Sequence, residues 1–455
     1  MGMAGFGKHK LRFYNLALLI LVNSKVLILC VQGFEPIGGW GMQVLRIMLR
    51  LLCKLQSCGG SEFESCWSLI RDIAAVDLSE GWGSKKHLTA LWLQYYMIID
   101  MKLENISLEQ RISAEPNNPK PAGNQGSVSS TGDPASAAVA KGHTVVSACD
   151  HNFIWGAMLL GLSLRYSNMQ CPYHVLAYDL PSEDIALLSG IPGTKTFPTH
   201  KNDSRSVCTQ KPLAIATADT EIIVWMDADC LAYGNLEKYF VCQDDCIQIR
   251  KRDLVENASV YRNYYSRNDR YGDIPARILN IWRKDVNDLS TPAISNSFQT
   301  NCFVINRRHL PFIEFWQKQM ERVIPLETTG VYNKRSMAYS MTDESVLNSL
   351  LAFSSKAPRT SEYLMDKDPD ALCLHFGLKP KPWQHWTLAA FDSYSYVQKL
   401  LDWARQEGIA LPQYPESFKP ENLRAEYRRA RYQAFVKELR FNISSGIRGI
   451  ARKLR

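Results

Sequence analysis

The nine residues Glu221 to Asp229, EIIVWMDAD, constrain this chain more than any others. Ile222, Ile223, Val224, Trp225 and Met226 form an unbroken apolar run with β-branched content, the pattern of a central strand covered on both faces of a parallel sheet. Asp227 and Asp229 follow at its C-terminal end with only Ala228 between them, where open α/β sheets hold their ligands. Carboxylates so closely spaced suit a hard divalent cation, Mn²⁺ or Mg²⁺, which can in turn neutralise a diphosphate. On these residues alone, a strand running into an acidic surface turn explains the pattern equally well.

The chain before this strand alternates in the same sense. Thr144 to Ala148 reads as a first strand, followed by the loop Cys149-Asp150-His151-Asn152 and a helical pattern from Phe153 to Tyr166. Tyr173 to Tyr178 is the next strand, and Ser182 to Leu188 its helix, with Glu183 and Asp184 in the first turn. Thr194 to Phe197 and Lys211 to Ala218 continue the alternation. This order predicts an α/β fold, a Rossmann-like, mostly parallel sheet flanked by helices, with right-handed crossovers. Phe298 to Ile305 is a later strand, and Thr342 is placed to cap a helix opening with Asp343 and Glu344. The stretch from Gln248 to Leu289, rich in Arg, Tyr and Asn, is expected to form loops over the site.

Asp-x-Asp after a hydrophobic strand, and much later His375-Phe376-Gly377-Leu378-Lys379-Pro380-Lys381-Pro382-Trp383, resembles the retaining GT-A glycosyltransferases of family 8. In that family a His is followed six positions on by Lys-Pro-Trp, the spacing that links His375 to Lys381. The resemblance covers about residues 144 to 383 and implies a GT-A fold and a nucleotide-sugar donor. It further implies metal ligation by Asp227, Asp229 and His375. Ala148, Asp150, Asn152, Lys211, Asp227, Gly377 and Lys381 fall on its nucleotide-sugar positions. Gln299, Asp343 and Glu344 fall where the family touches the donor sugar. Two departures stand out: Asn301 replaces a usual Gly, and Glu344 replaces an amide. By this resemblance a hexose, from UDP-galactose or UDP-glucose, passes to a saccharide or glycolipid acceptor with retention of configuration. Glu344 is the carboxylate expected to steady the oxocarbenium-like centre. A metal-dependent hydrolase using the same carboxylates, and a catalytically silent membrane scaffold, are the competing classes.

Charge is uneven along the chain. Residues 418–455 carry eleven Lys or Arg against three Asp or Glu, the whole net charge of +8, so the body is neutral and nucleic acid is not expected as a partner. Leu423, Tyr427, Ala430 and Ala434 recur at helical spacing among those basic residues, as in a helix lying on an anionic membrane surface. Near the other end, Lys8, Lys10 and Arg12 precede the apolar stretch Phe13 to Phe34, which Asn23, Ser24 and Lys25 interrupt. Its longest clean run, Leu16 to Val22, is too short to span a bilayer, so an interfacial or buried helix is expected. The expected localisation is peripheral, on the cytoplasmic face of a membrane. Four Asn-x-Ser sequons, at Asn105, Asn202, Asn257 and Asn442, allow a Golgi-lumen alternative. The twelve cysteines lack paired metal-site spacing and fit a reducing compartment.

These patterns divide the chain into a helical N-terminal module at 1–110, a flexible linker at 111–142, a catalytic domain at 143–385 and a helical basic tail at 386–455. Within the first module, residues 41–58 read as a basic amphipathic helix. The Pro-, Gly- and Ser-rich stretch from Glu115 to Lys141 has almost nothing to bury and marks the linker.

Overall fold

The computed structural model describes residues 16–22, 25–31, 140–200, 206–242, 245–324, 336–365, 368 and 370–453. The chain forms two compact units, 1–116 and 117–455. In the first unit β1 (Leu16–Val22) and β2 (Lys25–Val31) pair antiparallel, with Leu16 opposite Val31 and Val22 opposite Lys25. This corrects the expected helix within residues 13–34. Each apolar run is of strand length, β2 is rich in β-branched residues, and only Asn23 and Ser24 separate the two in sequence, which is hairpin spacing. The expected basic helix at 41–58, the helical module to residue 110 and the linker up to residue 139 lie outside the described residues.

The second unit opens with β3 (Ala140–Cys149), so the strand begins inside the stretch expected to be linker. There follow α1 (Ile154–Tyr166), β4 (Tyr173–Tyr178), α2 (Ser182–Ser189), β5 (Thr194–Thr199), α3 (Lys211–Ile215) and β6 (Thr220–Met226). Two shorter strands come next, β7 (Cys230–Tyr233) and β8 (Cys246–Lys251). Helices α4 (Leu254–Tyr261) and α5 (Ala276–Val286) occupy nearly half of the region expected to be loops. The correction has a local cause: Asp253 accepts from the N–H of Glu256 at 2.7 Å while Glu256 accepts from the N–H of Asp253 at 3.1 Å, a reciprocal cap that starts α4. Then come β9 (Phe298–Asn306), α6 (Leu310–Val323), α7 (Thr342–Phe353), β10 (Arg359–Ser361), β11 (Leu372–His375), α8 (Tyr394–Gln406) and α9 (Leu423–Lys453).

Seven strands form one sheet in the order β10-β8-β9-β6-β3-β4-β5, which places β6 at its centre. Neighbours run parallel except at β9, which is antiparallel to both β6 and β8. The α/β, mostly parallel architecture expected from the sequence is therefore present. Outside this sheet, β7 and β11 pair antiparallel, with His375 opposite Cys230. One core cluster joins Trp225 of β6, Phe303 of β9, Trp282 of α5, Trp316 of α6 and Leu347 and Leu350 of α7.

Two helices bear on the function. Gly156 on α1 faces the loop after β6 so closely that an added Cβ would overlap the Ala228 carbonyl oxygen and come within 2.6 Å of Trp383 Cη2. Only glycine permits that approach. The start of α9 packs on the body rather than standing free: Tyr427 and Ala430 are buried, and Phe391 meets Tyr427 edge-to-face at 5.1 Å. Glu426 accepts the Trp386 N–H at 3.2 Å. Arg428, Tyr432 and Lys437 remain exposed. Among the described residues no helix is long and apolar enough to cross a membrane. Asn257 is fully buried, its amide bonded to Gly272 O and Ser297, so that sequon is closed to modification in the folded chain.

Candidate functional site

The loop leaving β6 is fixed by backbone. Asp227 N–H donates to Asn301 O at 2.8 Å, Cys230 N–H donates to Asp227 O at 2.9 Å, and Phe376 N–H donates to Asp229 O at 2.8 Å. The last bond, with the β7–β11 ladder, brings His375 beside Asp229 from across the sequence. Asp229 Oδ1 lies 3.2 Å from His375 Nε2, and Oδ2 lies 2.5 Å from Lys381 Nζ, which also donates to Phe376 O at 2.5 Å. Burial alone would push the Asp229 carboxyl up; the His375 imidazole and the Lys381 ammonium outweigh it and hold the group well below the usual carboxylate range. His375 responds in the opposite sense: burial disfavours its charge, but the hydrogen bond and charge of Asp229 raise it above the ordinary imidazole value.

Asp227 belongs to a second, adjoining network. Its Oδ1 accepts from Trp225 Nε1 at 2.9 Å and from Lys211 Nζ at 2.8 Å. Lys211, which is buried, also meets Asp343 Oδ2 at 2.9 Å and Thr300 O at 3.1 Å. Burial opposes the Lys211 charge, yet Asp227 and Asp343 hold it above the ordinary lysine value. Burial, reinforced by the neighbouring Asp229 charge, raises the Asp227 carboxyl. Lys211 is thus engaged by protein carboxylates rather than standing open to a ligand.

At the start of α7, whose N-cap is Met341 rather than the expected Thr342, Asp343 also accepts from Thr300 Oγ1 at 3.2 Å. Glu344 pairs with Arg252, Oε1 to Nη2 at 2.7 Å, with both side chains nearly buried. Arg252 Nη1 donates in addition to Ser297 Oγ and Phe298 O at 3.1 and 3.0 Å. Burial would lower the Arg252 guanidinium, and Glu344 more than reverses this. Thr300 and Arg252 are the residues that sequence reasoning missed. No signal marks Arg252 within IRKRD, and Thr300 sits beside Gln299, the position singled out. Gln299 is half-buried, and it is the following residue that meets Lys211, Asp343 and Glu344.

The loop after β3 contributes Ala148, which is buried, and Asp150, whose carboxylate accepts from Asn152 N–H at 3.0 Å and so caps a short 3₁₀ turn. Asn152 is exposed at its side chain, while its carbonyl accepts from Trp383 Nε1 at 2.8 Å. Phe153 meets the Trp383 ring edge-on at 5.8 Å. Gly377 lies under the His375 ring, and a Cβ there would come within 2.9 Å of Cε1.

For a divalent cation the donor set is mixed. Asp229, Cys230 and His375 each bring one ligand atom within 4.8 Å of the others, a group that does not take in Asp227. The carboxylate and imidazole suit Mn²⁺. The Cys230 thiol, a soft ligand, is a poor partner for so hard an ion. Asp229 and His375 therefore fit such an ion, while Asp227 lies outside the group and has its Oδ1 engaged by Lys211 and Trp225.

No family model matches the chain, and no curated protein matches it. Solved structures do. The glycosyltransferase GlyE of Streptococcus pneumoniae aligns at 14% identity and a TM-score of 0.37, over 61% of this chain and 66% of that one. The galactosyltransferase LgtC, solved with donor and acceptor sugar analogs, aligns at 14% identity and a TM-score of 0.35, over 60% of this chain and 98% of that one. The bifunctional glycosyltransferase WbbM aligns at 14% identity and a TM-score of 0.39, over 79% and 72%. This chain spans just under two thirds of the GlyE structure. With scores this low, the functional reading rests on the side chains.

Proposed function

We propose that this chain is a metal-dependent glycosyltransferase that moves a hexose from UDP-galactose or UDP-glucose to a saccharide or glycolipid acceptor with retention. The observation that carries the reading is the convergence of Asp229, His375 and Lys381: a carboxylate after the central strand meets an imidazole and an ammonium some 150 residues later. Asp227, Asp229 and His375 would hold Mn²⁺, or Mg²⁺ in its place. When bound, the ion supplies positive charge against the departing diphosphate. Lys381, held on Asp229, adds a second cationic group to that side of the reaction. Asp343 and Glu344, held in buried ion pairs by Lys211 and Arg252 and linked by Thr300, are the carboxylates we assign to the sugar side of the site. Positioning of this kind serves front-face attack, while a covalent route needs one of the two as nucleophile.

The test is UDP release from a panel of UDP-sugars with Mn²⁺, with and without acceptors, read beside Asp229→Ala. Acceptor-stimulated release that Asp229→Ala abolishes supports the reading. Release indifferent to acceptor makes the chain a hydrolase, and failure to bind either nucleotide-sugar or Mn²⁺ removes the proposal. Unchanged turnover in Glu344→Gln would take that residue out of the chemistry. We also place the chain at an anionic membrane surface through the exposed basic side of α9. Arg428→Glu with Lys437→Glu should then abolish sedimentation with anionic liposomes while UDP release on soluble acceptors persists.

A further inference from the structure

A separate constellation lies toward the opposite end of the parallel strands from Asp227, near the start of β3. His143 pairs with Ile222 in the β3–β6 ladder, five residues and so about 16 Å along the strand from Asp227. Between Ala140 and His143 that ladder slips: three positions on β3 advance against two on β6, with Gly142 at φ 138°. A bulge of this kind re-aims the side chain that follows it. Here it turns His143 toward Glu237, with Nε2 3.4 Å from Oε1 and the imidazole edge-on to Phe240 at 5.1 Å. Glu237 Oε1 also accepts the backbone N–H groups of Gln170 and Cys171 at 3.0 and 3.1 Å, which draws the segment before β4 to the same point. One His143 ring nitrogen, the Cys171 sulfur and a Glu237 oxygen all lie within 4.8 Å of one another. His143 Nε2 is nevertheless buried and makes no hydrogen bond. A buried ring nitrogen without a partner, facing a thiol and a carboxylate, is an arrangement that a metal ion completes.

We propose that His143, Cys171 and Glu237 bind one Zn²⁺, with water as the fourth ligand. One nitrogen, one sulfur and one oxygen donor make a borderline-soft set that favours zinc over the hard ions suited to Asp229 and His375. Binding gives the His143 nitrogen its missing partner and replaces the Cys171 thiol proton, which passes to solvent. The His143 and Glu237 side chains are 23% and 28% exposed, so water reaches the open position. The ion would clasp three segments distant in sequence: the β3 bulge, the turn entering β4 and the 3₁₀ turn Glu237–Tyr239 after β7. Its work is structural, and it stands whether or not the chain transfers sugar.

The probe is Co²⁺ added to the full chain after chelator treatment and dialysis, since a cysteine ligand produces a sulfur-to-cobalt absorption that oxygen and nitrogen ligands do not. The wild-type chain should show that band and lose it to added Zn²⁺. Cys171→Ser and His143→Gln should each bind one Co²⁺ fewer than wild type, with proportionate loss of the band, while Cys230→Ser keeps both. Should Cys171→Ser fail to fold by circular dichroism, the half-buried His143→Gln carries the same comparison. Wild type without the band, variants at 143 and 171 binding as much Co²⁺ as wild type, or loss confined to Cys230→Ser would each overturn the proposal.

Discussion

Replacing Arg252 by Met separates the charge of that residue from its bulk. The guanidinium makes one ion pair with Glu344 at 2.7 Å and two further bonds, to Ser297 Oγ and Phe298 O. Without it the Glu344 carboxylate keeps, among the described residues, only the long Thr300 N–H contact at 3.4 Å, in a place with little water. Stranding a buried charge costs about 3–5 kcal/mol, far more than an exposed pair would. Glu344→Gln retains an oxygen for Arg252 to meet and should cost about 1–2 kcal/mol. In the double variant no charge is stranded, and Phe298 O keeps its bond from Asn348 Nδ2 at 2.9 Å. Its cost should be about 2–3 kcal/mol against about 4–7 kcal/mol for the two single variants summed, leaving about 2–4 kcal/mol of favourable coupling between the two sites. Urea unfolding of all four proteins, with coincident fluorescence and circular dichroism transitions, measures this. A double variant destabilised by the full sum of its parts would refute the buried-pair argument.

Three further outcomes follow from packing and titration. Gly156→Ala drives a methyl group onto Ala228 and Trp383, so it should destabilise the chain by about 1–3 kcal/mol and lower UDP release, both absent if α1 can move aside. Tyr427→Ala empties a buried aromatic contact with Phe391 and should cost about 3 kcal/mol in urea unfolding; a change below about 0.5 kcal/mol would mean that α9 does not dock on the body. His174 is buried, which lowers its folded value below the ordinary 6.5, while Nδ1 meets Thr217 O at 3.0 Å. The unfolded chain therefore binds the proton more readily: stability is full above about pH 6.5 and declines as pH falls below it. His174→Gln should flatten that decline between pH 7 and 5, and an equally steep profile would exclude His174 as its source.

How much of this was legible depends on the range of the signal. The central strand could be read because a run from Ile222 to Met226 needs no partner to be recognised, and Asp227 and Asp229 are adjacent in sequence. His375 and Lys381 were visible only as a spacing; their meeting with Asp229 depends on the β7–β11 ladder, a pairing of short strands that periodicity does not reveal. Arg252 carried no mark at all, because one Arg in a basic pentapeptide looks solvated until α7 covers it. The region around 254–286 was misjudged for a related reason: polar residues predominate there, and a reciprocal cap plus three inward positions, Ile278, Trp282 and Val286, suffice for helices. At the tail, helical spacing was correct, but aromatic residues suited to a membrane suit Phe391 and Trp386 as well.

The bond from Trp383 to the Asn152 carbonyl ties the last loop of the signature to the first loop of the sheet. Two segments 231 residues apart in sequence are thereby in direct contact. Were a nucleotide to bind beside Asp150, it and an ion at Asp229 and His375 would be coupled through this contact, each changing the strength with which the other is held by the same factor, whichever arrives first.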